Sequence, residues 1–187
     1  MPETRSDTLQ LLFENNERAL DLLGQCMAEP MEEPEDSTRA FMRRIREAWN
    51  AADAATLNRL AHFPALLLDI RGWDAPADTG ARGFFPEASA VSLMRSTLTL
   101  AWHVCRTSPH TAALLLGLPP ASLAPLRALR IQDLDPLALT RAHCLRPRWL
   151  ATPWVWTELL VAARADTHAF EESSLHALQQ MIGELLP

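Results

Sequence analysis

Two short stretches hold the side chains best suited to chemistry: His103 and Cys105 in the tripeptide HVC, and His143 and Cys144 in the dipeptide HC. Thiolate and imidazole are zinc ligands, and a thiol beside an imidazole can become a nucleophile once the base takes its proton. The spacing supports neither chemistry strongly. Structural zinc sites use close ligand pairs such as CxxC, with a second matching half, and HVC and HC have neither. No local pattern joins either thiol to a base and a residue that orients it. Packing of these side chains in the core or at the surface is therefore the favoured reading, with the thiols inert and buried. A metal or small-molecule site between helices around His103, Cys105 and His143 stands as the alternative. Cys26, Cys105 and Cys144 are odd in number and far apart in sequence, as expected of reduced thiols in the cytoplasm rather than of a disulfide framework.

A second constellation lies over 141–156, RAHCLRPRWLATPWVW, which combines Arg141, Arg146 and Arg148 with Trp149, Trp154 and Trp156. Arginine and tryptophan are enriched at the energetic centres of protein interfaces, and basic-aromatic tracts also stack on single-stranded nucleic acid. The plain alternative is that the tryptophans pack a helix onto the core while the arginines extend to solvent. Arg146, Arg148, Trp149 and Trp154 are the candidate partner-binding residues. The formal charge of -6 argues against broad attraction to nucleic acid or an anionic membrane. The run TAALLLGLPPASLAPLRAL has the outline of a helix-turn-helix, yet Pro125 falls in the would-be recognition helix and Arg127 is its one basic residue. Direct reading of DNA is thus disfavoured.

These residues need a scaffold, and the chain is long and apolar enough to build one. Its 187 residues are 48% hydrophobic and 21% charged, a balance that folds. All 17 basic residues are arginine, and with abundant Ala, Leu and Pro this bias suggests a GC-rich bacterial source. The N-terminus lacks the apolar run of a secretory signal, and no apolar stretch is long enough to span a bilayer.

Helical periodicity dominates. Leu9, Leu12, Phe13, Leu20 and Leu23 predict a helix over 7–27, followed by an exposed acidic linker with Pro30 and Pro34. Asp36 or Ser37 is placed to cap the next helix, whose Phe41, Ile45 and Trp49 form a core-facing stripe. Leu57, Leu60 and Phe63 continue the helical pattern. The run ALLLDI after Pro64 suits either a helix or one buried strand, and its helical neighbours favour the helix. Gly and Pro concentrated over 71–88 predict a long loop. A central helix follows over 89–107, then three short helices: one capped by Ser108 and Pro109 and ended by Gly117, one opened by Pro119 and Pro120, and one opened near Asp133. Thr152 and Pro153 start another helix with Trp156, Leu159, Leu160 and Ala163 on one side, and a last one over 170–186 presents Leu178, Ile182 and Leu185. The expectation is an all-α, irregular bundle of about seven to nine helices in a single globular domain. The loop over 71–88 is the candidate subdomain boundary between 1–70 and 89–187.

The stretch LLLGLPPASLAPLRALRIQDLDPLALTRAHCLRPRW resembles the core segment of FlhD, a subunit of the bacterial flagellar transcriptional activator. The likeness is carried by the LGL turn at 116–118, leucines 123, 126 and 129, the LDPLA segment at 134–138 and the Cys-Leu-Arg at 144–146, within about residues 101–149. It implies an all-α, cytoplasmic, dimeric protein that acts through a protein partner in transcriptional control. In that family the partner subunit, FlhC, bears much of the DNA contact. The resemblance implies neither catalysis nor a cofactor. The chain departs from the family in its length, in the segment before Ser89 and in its tryptophan-rich C-terminal part, and no DNA-contacting residue is carried over.

Overall fold

The computed structural model describes residues 3–29, 35–70, 72–73 and 83–185. Among them nine α-helices follow one another: α1 (Glu3–Ala28), α2 (Asp36–Asn50), α3 (Ala54–Ala61), α4 (Glu87–Thr107), α5 (Pro109–Leu116), α6 (Pro120–Ala128), α7 (Leu134–Arg141), α8 (Trp154–Ala165) and α9 (Thr167–Leu185). Two very short strands, β1 (Leu68–Asp69) and β2 (Arg146–Pro147), pair antiparallel, with Leu68 opposite Pro147 and Asp69 opposite Arg146. The all-α expectation holds.

Local chemistry accounts for several boundaries. Asp53 caps α3 by accepting a hydrogen bond from the Thr56 amide at 2.8 Å, a contact that with the Thr56 hydroxyl holds its carboxyl below the usual range. Pro109 and Pro120 occupy first-turn positions of α5 and α6, where a missing N–H costs nothing. Gly117 ends α5 with φ +60°, the left-handed conformation that glycine adopts freely. Ahead of α7, Asp133 accepts from the backbone and guanidinium of Arg130, so it braces the preceding 3-10 turn rather than capping the helix.

Helix α4 is central, with α1, α5, α6 and α7 packed on it, while α8 packs on α2, α3 and α9. One continuous apolar core runs through both halves: Leu12, Leu23, Phe41 and Ile45 join Met94, Leu98, Leu116 and Trp156. The acidic linker's prolines and most of the loop over 71–88 fall outside the described residues. The described ends of that loop are not solvated, because Trp73, Phe84 and Phe85 are buried.

The helical reading of ALLLDI is wrong. Residues 62–67 form no helix and lead into β1, although Phe63, Leu66, Leu67, Leu68 and Ile70 are all buried. A non-helical backbone can be buried only if its polar groups find partners, and two distant side chains supply them. Asn16 on α1, itself fully buried, donates to the carbonyls of Ala61, Phe63 and Ala65 at 3.1–3.3 Å and accepts from the Leu67 amide at 2.9 Å. From the other side Arg148 donates to the carbonyls of Leu66 and Leu68, each at 2.7 Å, and of Leu116, while its own amide donates to the Leu67 carbonyl at 2.8 Å. Periodicity cannot register partners that lie 50 to 80 residues away.

A second difference concerns α9, whose buried face is Phe170, Ser174, Ala177 and Met181; Ile182 is exposed and Leu178 and Leu185 are half-buried. This face differs from the one traced by Leu178, Ile182 and Leu185 and includes one polar residue, Ser174. Helix α8 begins one residue later than its cap pair suggested, with Pro153 as the cap and Trp156, Leu159, Leu160 and Ala163 inward as expected.

The Arg148 clamp yields a quantitative expectation. Arg148→Met should orphan three buried carbonyls and destabilise the fold by roughly 3 kcal/mol or more, read as a lowered urea midpoint at unchanged slope. Gly117→Ala should also destabilise, because its Cβ would overlap the Arg148 guanidinium at a positive φ. An unchanged midpoint in either variant would refute the clamp.

Candidate functional site

The arginine-tryptophan tract splits into an inner and an outer half. Arg148 is 1% exposed and Trp149 3%, so both are spent inside the protein and offer nothing to a partner. Trp149 adopts φ +56°, an unusual conformation for a bulky residue, and its ring meets Phe63 edge-on at 5.8 Å. Trp156 donates its indole N–H to the Arg148 carbonyl and packs edge-on against Phe41 at 6.1 Å. Of the four candidate partner-binding residues, Arg146 and Trp154 reach the surface. Arg146 lies 4.0 Å from the Glu35 carboxylate. Trp154, 44% exposed, opens α8 beside the arginine-rich face of α2.

Among the described residues no three His, Cys, Asp or Glu side chains converge. Cys144 Sγ lies 3.3 Å from His143 Nε2 and 3.6 Å from the Gly72 carbonyl oxygen. Burial raises its pKa, opposed by the charges of Arg141 and Arg146, so the pair holds a thiol rather than an activated thiolate. Burial pushes the Cys105 thiol up to about 11, and Cys26 likewise to about 11 with the Glu29 charge adding to the effect. These are packing residues in their present setting.

An open apolar groove runs over α4 between α5 and α6, with a volume of about 670 Å³. Cys105, Pro109, Ala113, Leu114, Leu123 and Ala124 supply its apolar wall, and His110 and Arg127 also line it. Leu114 is 49% exposed. Each of the two short helices is tied at its C-terminal end: the Leu66 amide donates to the Leu115 carbonyl at 2.7 Å, and the Trp102 indole donates to the Leu129 carbonyl at 2.7 Å. Sequence reasoning placed both helices but missed the groove. Its signal was the excess of apolar residues in ALLLGLPPASLAPL over what one buried stripe requires.

At pH 8 a thiol with a pKa near 11 is ionised in only about one molecule in a thousand. Labelling with Ellman's reagent at that pH should leave Cys26 and Cys105 at least about tenfold slower in the native protein than in urea. Rapid native labelling of Cys105 would assign it a reactive role.

No helix among the described residues is long and apolar enough to cross a membrane. Comparison with family models, curated proteins and solved structures found no match.

Proposed function

We infer that this protein is a non-catalytic regulator of the FlhD kind, working in the cytoplasm by forming a homodimer and engaging a protein partner in transcriptional control. The groove over α4 carries this reading, because it lies within the segment that resembles FlhD and is built for apolar contact. Leu114 on its lip is a half-exposed apolar knob beside an apolar hollow. A knob and a hollow on one face are self-complementary under two-fold symmetry, the arrangement that closes a dimer without leaving a free end. Catalysis has less support: burial holds the thiols protonated, that of Cys144 included, although His143 Nε2 lies 3.3 Å from its sulfur. Direct DNA binding has less still, since α6 offers Arg127 alone and the chain is acidic overall.

A second reading is favoured by one observation, the placement of Cys105 in the groove wall. A hollow of this volume suits a small apolar ligand. Neither His103 nor His143 lines it, so such a ligand would meet Cys105, His110 and Arg127 instead.

Light scattering on a size-exclusion peak separates the readings. The wild type should elute as a dimer at tens of micromolar, and Leu114→Glu should shift it to monomer with its helical circular dichroism retained, since burying the new carboxylate in an apolar contact is unfavourable. A wild-type monomer would overturn the dimeric reading, and a retained small molecule on that monomer would move the function to ligand binding.

A further inference from the structure

We propose that the face formed by Arg43 and Arg44 of α2 and Trp154 of α8 is a docking site for an acidic segment of a partner protein. This surface is separate from the groove over α4. Ala40, Arg43, Arg44 and Glu47 recur at helical spacing and share one side of α2. Pro153 and Trp154 lie across from them, and the six residues line a hollow of about 530 Å³.

Charge supplies the occupant. Helix α2 carries Arg39, Arg43, Arg44 and Arg46 against Asp36 and Glu47. The Arg39 guanidinium is spoken for by Asp36 at 3.0 Å, whereas among the described residues neither Arg43 nor Arg44 has an ion-pair partner. Two exposed guanidinium forks side by side, in a protein whose formal charge is -6, make a local positive site suited to carboxylates. The wider negative charge acts weakly here, because salt screens charges beyond about 8 Å.

Trp154 makes the site more than a charged spot. A large aromatic left 44% exposed while Trp149 and Trp156 are almost wholly buried is free to receive an apolar side chain. The ligand thus needs acidic residues flanked by an apolar one. A nucleic-acid strand fits less well, because two guanidinium groups give only a short phosphate track.

The test uses the full-length protein and a fluorescein-labelled peptide rich in Glu and Leu, followed by anisotropy. Binding should be saturable at micromolar concentration and weaken as salt rises. The Arg43→Glu, Arg44→Glu double variant should lose at least about tenfold in affinity, and Trp154→Ala a similar factor. All three residues are exposed, so circular dichroism and the thermal midpoint should stay at wild-type values. Leu114→Glu should bind the peptide normally, which keeps this site distinct from the dimer contact. The proposal is overturned by a Lys-rich peptide binding equally well, by indifference of binding to the double variant, or by a single-stranded oligonucleotide binding more tightly at physiological salt. Loss of self-association in the double variant would place a second copy of this chain in the hollow and overturn it too.

Discussion

Burying a guanidinium is costly unless each of its donors finds an acceptor, and the architecture turns on how Arg148 meets that condition. Its donors reach three main-chain carbonyls, of Leu66, Leu68 and Leu116, which belong to two segments otherwise far apart along the chain. The result joins β1, the end of α5 and the turn after β2 that carries Arg148 itself. Lysine could not do the same, because one ammonium lacks the planar spread of five N–H groups that an arginine fork projects. The requirement propagates outward. Gly117 has to be glycine because the guanidinium occupies the space that any Cβ would fill, and Trp156 donates to the carbonyl of the same arginine.

Asn16 answers Arg148 from the opposite side of the buried segment. One side-chain amide pairs with three carbonyls and one N–H of residues 61–67, which lets the non-helical stretch after α3 pass through the core with much of its backbone hydrogen bonding met. Next to it Asn15 accepts from Ser96 at 2.8 Å and Thr97 at 3.3 Å, which sets α1 against α4. Two adjacent asparagines thus direct α1 toward two different neighbours. Side chains of this kind specify register more than they add net stability, since folding exchanges water hydrogen bonds for internal ones.

What could be read in advance follows from this division. Elements governed by local chemistry were legible: proline at the start of α5 and α6, glycine at the end of α5, and the stripe of Phe41 and Ile45 on α2. Elements governed by distant partners were not. ALLLDI has the composition of either a helix or a buried strand, and the choice rests on Asn16 and Arg148, which no window around residue 66 contains. The same limit governed the tract over 141–156. Arg148 and Trp154 look equally suited to an interface, but one is drawn inside by carbonyls it cannot see in sequence and the other is left outside at the start of a helix. Trp149 went inward with a positive φ that no pattern of residue types announces.

The two open surfaces stand on different parts of this frame. The groove belongs to α5 and α6 on α4, and the arginine face to α2 and α8. Both are tied to Arg148, the groove through the Leu116 carbonyl and α8 through the Trp156 indole. A shared anchor is not a switch. Coupling between sites needs an element with two arrangements that each ligand biases differently, whereas Arg148 is held by a set of bonds that all favour one. Any shift that released the Leu116 carbonyl would leave a buried charge short of an acceptor. The frame is thus suited to presenting two surfaces at fixed separation. If the proposed second copy and acidic partner bind there, neither should change the affinity of the other, and the control we propose would lie in which partners are present.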